Sequence, residues 1–445
     1  MKILFVSLGC DKNLVDSEVM LGMLSEKGYQ FTDEEEEAEV IVVNTCCFIH
    51  DAKEESIQTI LELAELKKTG NLKALIVTGC LAQRYSEEIR QEIHEVDAIL
   101  GTSAIDQIVK AVEEALEGKK LAYMSSLETP PAGDRRRLVT TGGHYAYLKI
   151  SEGCDKHCTY CIIPKLRGKY RSIPMEQLVS EAEKLAEQGV RELILVAQET
   201  TLYGMDLYGE KKLPELLRRL CQVSGLYWIR LLYCYPEEIT PELIEVIREE
   251  EKICHYLDMP IQHGSDTVLK RMGRRTTNEE IRTRIHDIRE AIPDICLRTT
   301  FITGFPGETE EEFEEMMEFI NEMEFDRLGV FTYSPEEGTP AAEMAGQIEE
   351  ELKEERRAQV MELQQEIAYE AAESMIGRKL YAMVEGKLTE EEVYVARTYK
   401  DAPNVDGLLF IHTDHQLMSG DFVKVEITDS VEYDLIGEIC DEFTE

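Results

Sequence analysis

No apolar stretch of this chain approaches the ~20 residues that cross a bilayer, so no membrane-spanning helix is expected. Basic residues are scarce as well: 48 Lys and Arg stand against 89 Asp and Glu, a formal charge of −41. That balance argues against nucleic-acid binding through a general basic surface, because phosphate contacts need clustered Lys and Arg. An acidic surface favours basic partners and speeds encounter with them; it also simply keeps a protein in solution. There is no Gly-x4-Gly-Lys-Ser/Thr loop and no His-Glu-x2-His pair, which weakens P-loop NTPase and zinc-protease readings. The opening "MKILFVSLGCDK" has a short apolar run that ends in Gly-Cys-Asp-Lys, not in a small-residue cleavage site. It reads as the buried first strand of a cytoplasmic protein.

What is present is enough for several cores. The 445 residues, 43% of them hydrophobic, suffice for two or three domains. Residues 1–120 alternate apolar strands ("KILFVSLG", "AEVIVVNT", "KALIVTG") with amphipathic helices, which implies a parallel sheet covered on both faces. A linker rich in Pro, Gly, Thr and Arg occupies 121–143. In 144–346 the alternation resumes with six strand candidates: "YAYLKIS", "ELILVAQ", "YWIRLLYC", "YLDMPIQ", "CLRTTFIT" and "RLGVFTYS". Six βα units are too few for a closed eight-stranded barrel, so a partial, open (βα)6 barrel is expected, with its site at the strands' C-terminal ends. Thr309 and Glu312 form a capping box ahead of one of its helices. A connecting helix fills 347–376. In 377–445 the period changes to two, which predicts a small antiparallel β-barrel. From Ser374 onward 6 basic and 16 acidic residues, a net of −10, make this module acidic too.

Twelve cysteines in a reducing compartment point to metal, cluster or redox chemistry, or to buried thiols. The strongest signal is "CDKHCTYC", which holds Cys154, Cys158 and Cys161 in Cys-x3-Cys-x2-Cys spacing just past the first barrel strand. One loop can wrap three corners of a cube and leave the fourth iron open, giving a site-differentiated [4Fe–4S] cluster. A zinc site, with His157 as a further ligand, is the alternative, but no second Cys-x2-Cys knuckle accompanies it. Cys10, Cys46 and Cys80 each stand just beyond an apolar strand. In an open parallel sheet those strand ends share one edge, where ligands bind, so three thiols far apart in sequence are expected to converge. The bland reading is three small apolar residues filling turns. Cys47, one step further than Cys46, reads as a buried neighbour, although a one-residue shift of the strand end would exchange the two.

Cys-x3-Cys-x2-Cys after the first strand of a six-unit barrel resembles the radical S-adenosylmethionine (SAM) superfamily. The added N-terminal domain, the second cysteine trio and the final barrel resemble its methylthiotransferases, which implies a flavodoxin-like first domain and a TRAM barrel as the last. "SLGCDKNLVDSEVMLG", "IIPKLRGKYRS", "LILVAQETTLYG" and "RTTFITGFPGETEEEF" are similar to the branch that modifies an aspartate of ribosomal protein uS12. The tRNA-modifying branch typically has Gln-Met-Asn where this chain has Asp11, Lys12 and Asn13. Two departures are Cys47, where Gly is usual, and Ile173, where Arg is common.

The resemblance implies two [4Fe–4S] clusters. One, on Cys154, Cys158 and Cys161, binds SAM and breaks it to a 5′-deoxyadenosyl radical; an auxiliary one on Cys10, Cys46 and Cys80 carries sulfur. A β-carbon hydrogen of aspartate is abstracted, sulfur takes its place, and a second SAM supplies the methyl group. The implied partners are uS12, free or in the ribosome, and an electron donor such as flavodoxin or ferredoxin; nucleic acid is not directly expected, and a monomer is. Gln198 and Arg298 lie where barrel residues could reach SAM, with ordinary polar strand-end residues as the competing reading. Gly304 and Gly307 of "GFPGET" suit either a close-approach loop or a tight turn. Tyr and Phe of "YAYLKIS" and "FTYS" are expected in the core, and Cys221, Cys234, Cys254, Cys296 and Cys440 as buried thiols. Methylthiolation of a tRNA adenosine, or a non-enzymatic electron or sulfur store, are the alternatives in function.

Overall fold

The computed structural model describes residues 1–131, 136–388 and 392–440. The first sheet has six parallel strands: β1 (Lys2–Ser7), β2 (Gln30–Phe31), β3 (Val40–Thr45), β4 (Ala74–Gly79), β5 (Ala98–Leu100) and β6 (Leu121–Tyr123). Their spatial order is β2-β1-β3-β4-β5-β6, so the order reverses between β1 and β3, the kind of switch point where ligands bind. β3 and β4 are buried at every position because helices cover both faces. Ile41, Val43, Leu75 and Val77 pack with Ile60 and Leu63 on one side. Val40, Val42, Ala74 and Ile76 pack with Met20, Leu24, Ile108 and Val112 on the other. The period-two sharing of one apolar run between two cores is what the continuous strands demanded.

The second sheet is also all parallel. Its strands β7 (Tyr145–Lys149), β10 (Glu192–Val196), β11 (Trp228–Leu231), β12 (Ile253–Gln262), β13 (Cys296–Thr303) and β14 (Arg327–Thr332) lie in sequence order and do not close. Between the first two, a short antiparallel ribbon, β8 (Ser151–Glu152) with β9 (Arg171–Ser172), brackets the Cys154–Cys161 loop. The convex face carries the helices over a large apolar core. The concave face is plugged: Tyr147, Ile194, Trp228 and Tyr256 pack there with Val15 of the first domain and Met383 and Ala402 of the last.

Residues Glu350–Glu373 form the long helix, tied to the barrel by the Gln364 amide donating to the Phe325 carbonyl at 2.8 Å. The last module, β15 (Lys379–Lys387), β16 (Val393–Thr398), β17 (Leu409–His412), β18 (Phe422–Val431) and β19 (Asp434–Ile439), is a closed barrel. It is antiparallel except where β17 meets β19. β18 already pairs with β15 and β19, so the remaining edges run the same way when the barrel closes.

The Thr309–Glu312 capping box is present. Two core expectations fail. Phe331 is 53% exposed, since alternate residues of an edge strand face outward, and Cys440, at the end of β19, is only half-buried. Among the described residues no helix is long and apolar enough to cross a membrane.

Candidate functional site

Cys10 follows β1, Cys46 follows β3 and Cys80 follows β4, three neighbouring strands of one sheet. Each thiol therefore leaves the same edge. A Cβ on Gly9 would stand 3.0 Å from the Cys46 Sγ, so the Cys10 turn lies directly on Cys46. Cys46 and Cys80 are 6% exposed, and Cys10 is exposed. Burial pushes the Cys46 thiol up to about 12, with the Cys80 and Cys10 thiols adding to the rise. Burial raises Cys80 too, and the Arg167 guanidinium pulls against it. Cys47 is fully buried in the apolar cluster beneath.

Sequence reasoning missed three residues that organise this edge. The Asn13 amide Nδ2 donates to the Leu8 and Thr45 carbonyls, both at 3.0 Å, fastening the Cys10 turn to the Cys46 turn. Ser56 Oγ then clamps Cys46 itself, accepting from its N–H at 3.0 Å and donating to its carbonyl at 2.9 Å. Arg167 comes from the other domain. Its Nη2 donates to Asn13 Oδ1 and lies 3.6 Å from the Cys80 Sγ. Its Nη1 donates to Asp16 at 2.7 Å and to Glu152 at 3.2 Å. Lys149 binds the same two carboxylates. Against the cost of burial, Arg167 and Lys149 hold the Glu152 carboxyl down to about 2.

That network continues into the second trio. Glu152 Oε1 accepts from the Gln198 amide at 3.0 Å, and Gln198 Oε1 accepts the Gly153 N–H at 2.8 Å, one residue before Cys154. Gln198 is thus engaged in fixing the cysteine loop. Gly153 is left-handed (φ +82°), and a Cβ there would meet the Lys169 carbonyl at 2.2 Å. Gly79, ahead of Cys80, is left-handed as well (φ +94°), with a carbonyl and an amide oxygen 2.4 Å from any Cβ. Gly-Cys at 9–10, 79–80 and 153–154 is a signal already visible in the sequence: Gly79 and Gly153 lie too close to backbone for a side chain, and Gly9 too close to the Cys46 side chain.

The loop is pinned by Thr159, whose N–H and hydroxyl donate to the Met272 and Arg271 carbonyls at 2.9 and 2.8 Å. Cys154 and Cys158 are buried and Cys161 half-buried. Burial raises Cys154 to about 12 and Cys161 beyond it. The Tyr235 hydroxyl lies 3.8 Å from the Cys158 Sγ; two residues earlier, the Tyr233 hydroxyl donates to Asp11 at 3.3 Å, beside Cys10. One strand end after β11 therefore touches both trios.

Arg298 is third in β13 and pairs with Asp258 at 2.8 Å and with Asp406 of the last module at 3.3 Å. Gly304 and Gly307 are both left-handed, and Glu308 accepts the Gly304 N–H at 3.0 Å while pairing with His263 and Arg356. Glu199, not singled out in the sequence, is fully buried with one oxygen unpartnered. Burial raises its carboxyl to about 7.

A cube offers one iron to each thiolate, so its ligands stand farther apart than the ligands of a single ion. Among the described residues no three His, Cys, Asp or Glu side chains crowd closely enough for one ion. The donor chemistry fits [4Fe–4S]: three thiols per site, and at the first site a guanidinium facing what would be an anionic group.

Three family models match in succession: an uncharacterized protein family, UPF0004, over residues 2–101, the radical SAM superfamily over 148–320 and the TRAM domain over 376–440. Two relatives carry the name ribosomal protein uS12 methylthiotransferase RimO. The protein from Lachnoclostridium phytofermentans is 62% identical over 98% of this chain and 99% of its own. That from Clostridioides difficile is 52% identical over 99% of each. Among solved structures, the radical SAM methyltransferase TsrM from Kitasatospora setae, with cobalamin and a [4Fe-4S] cluster bound, has a TM-score of 0.54 at 14% identity, covering 76% of each chain. That likeness concerns the fold.

Proposed function

The chain belongs to the ribosomal protein uS12 methylthiotransferase family, and we propose that it adds a methylthio group to the β-carbon of an aspartate in that small-subunit protein. Its cofactors are SAM and two [4Fe–4S] clusters. Cys154, Cys158 and Cys161 hold the cluster that binds SAM; Cys10, Cys46 and Cys80 hold the auxiliary one. When bound there, these groups supply the one-electron cleavage of SAM that removes hydrogen from unactivated carbon, the sulfur atom and the methyl group.

The observation that carries this reading is the strand end shared by the two trios, with Tyr235 3.8 Å from Cys158 and Tyr233 3.3 Å from Asp11. A substrate side chain entering between them meets both sites without a long transfer. The protein's own part is positional. Burial keeps the Tyr235 phenol far above its ordinary range, so it stays a neutral hydroxyl beside the Cys158 sulfur. Gln198 holds the Gly153 N–H, and Asn13 and Arg167 hold the facing turn. The reading of Gln198 and Arg298 as SAM contacts stands as a proposal alongside the pairings both already make.

The relatives' names do not favour tRNA as substrate. We place the reaction in the cytoplasm, consistent with twelve free cysteines, in a monomer, since one chain supplies both trios, with a flavodoxin- or ferredoxin-type electron donor. Anaerobic turnover with SAM and purified uS12, followed by mass spectrometry, tests the proposal. One methylthio group on a single aspartate is expected, with Cys158→Ala abolishing 5′-deoxyadenosine formation. Modification of tRNA with uS12 untouched would overturn it.

A further inference from the structure

The tetrapeptide Gly-Cys-Asp-Lys occurs twice, at 9–12 and at 153–156, once in each trio. In both copies the lysine lies over a tyrosine of the shared strand end. The Lys12 ammonium stands 3.2 Å from the centroid of Tyr233, and that of Lys156 stands 4.9 Å from Tyr235. The two charges are treated differently. Lys156 is neutralised by Glu238 and by Glu237 at 3.4 Å. Lys12 is only 6% exposed, yet among the described residues no carboxylate pairs with it, and the ring is its one charge contact. Asp11 does not fill the gap, because its carboxylate accepts from the Tyr233 hydroxyl.

A cation withdrawn from water with only an aromatic face for company is unfavourable unless an anion completes it. The ring is itself held at a cost. Tyr233 has φ +60°, an uncommon conformation for a bulky residue, and Asp258 accepts its N–H at 3.0 Å. The helix Asp11–Glu26 starts at the same place without a side-chain cap, adding the positive end of its dipole.

We propose that Lys12 binds the carboxylate of the aspartate being modified and thereby sets the preference for an acidic side chain. This rests on the function proposed above. The geometry suits the chemistry: the carboxylate carbon is bonded directly to the β-carbon that takes sulfur, so a cation holding the carboxylate fixes the reacting atom to within one bond. An amide or a nucleobase offers Lys12 no negative charge.

The test uses anaerobically reconstituted holoenzyme with SAM, and compares binding of purified uS12 with that of uS12 carrying asparagine at the target position. Wild type is expected to favour the aspartate form about tenfold or more, as for a charge-assisted hydrogen bond. In Lys12→Met that preference should fall to within about twofold, chiefly because the aspartate form binds more weakly. Lys12→Gln serves if the methionine variant fails to load about eight irons. A wild-type ratio near one overturns the inference without any variant. So does a Lys12 variant that weakens both forms equally, which would make the lysine a support for Tyr233. If wild type neither binds nor modifies uS12, the function itself is what fails.

Discussion

Replacing Arg167 by methionine keeps the apolar stem and removes a guanidinium that reaches the Cys80 sulfur. The 3.6 Å contact bounds its attraction for a full unit charge at about 5 kcal/mol with an effective dielectric of ~20. An electron added to an iron–sulfur cube is spread over the whole cube, which brings the differential to about 2–3 kcal/mol, or about 100 mV for one electron. Losing the positive charge disfavours the reduced, more negative state, so the potential should fall. The assay is an EPR-monitored redox titration in a background where Cys154, Cys158 and Cys161 are all alanine, leaving the auxiliary signal alone. Arg167→Lys, which keeps the charge but not the fork, should fall between methionine and wild type. Loss of the guanidinium also leaves Asp16 and Glu152 to share the Lys149 cation, with the Gln198 amide still on Glu152, and breaking a buried pair typically costs about 3–5 kcal/mol, so melting temperature should drop. A methionine variant with full iron loading and a potential within about 20 mV of wild type would refute the electrostatic argument and leave Arg167 a structural strut.

Two further outcomes follow from named contacts. Cys46→Ala should lose about four of about eight irons per chain, whereas Cys47→Ala should keep them all; the reverse pattern would exchange the assignment at this strand end. Glu192 joins the barrel to the last module, accepting from Arg230 and Arg397, both at 2.7 Å. Burial opposes its ionisation, but the two guanidinium groups hold its carboxyl below the ordinary range. A depressed carboxyl contributes stability that is complete above its unfolded value and lost as pH falls below it. Glu192→Ala should therefore cost about 3–5 kcal/mol at pH 7, and its melting curve should converge on wild type as pH falls below about 4. A gap independent of pH would contradict the role given to this pair.

The long elements were legible because periodicity and burial agreed. β3 and β4 are buried throughout, and the six barrel strands stand where apolar runs alternate with helices. β2, β5 and β6 were missed; strands of two or three residues are too short to show a pattern, and pairing with their neighbours alone defines them. The strand-end placement of Cys10, Cys46 and Cys80 could be read for the same reason as the strands: a residue just past a parallel strand has a known edge. Asn13, Arg167 and Lys12 could not. Asn13 and Arg167 meet across 154 positions, and nothing in "KLRGKYR" distinguishes Arg167, which turns fully inward, from the half-buried Arg171.

The repeated tetrapeptide shows how far local sequence goes. In both copies the glycine allows a close turn, the cysteine leaves a strand end, and the lysine covers a tyrosine. What separates them is supplied by distant chain. Glu237 and Glu238 come from the loop after β11 and cancel Lys156. At Lys12 no such pair arrives among the described residues, while Arg167 crosses from the barrel to stand beside Cys80. The first domain therefore does not complete the surroundings of its own trio: the guanidinium beside Cys80 belongs to the barrel, and the tyrosine beneath Lys12 does too. Docking of the two domains is then part of the first site, because a shift that opened the Asp16–Arg167 contact would also part Arg167 from Asn13 and Cys80 and Tyr233 from Lys12. The Gln198 link to Gly153 and Glu152 lies wholly within the barrel, so the second trio's loop keeps its own support.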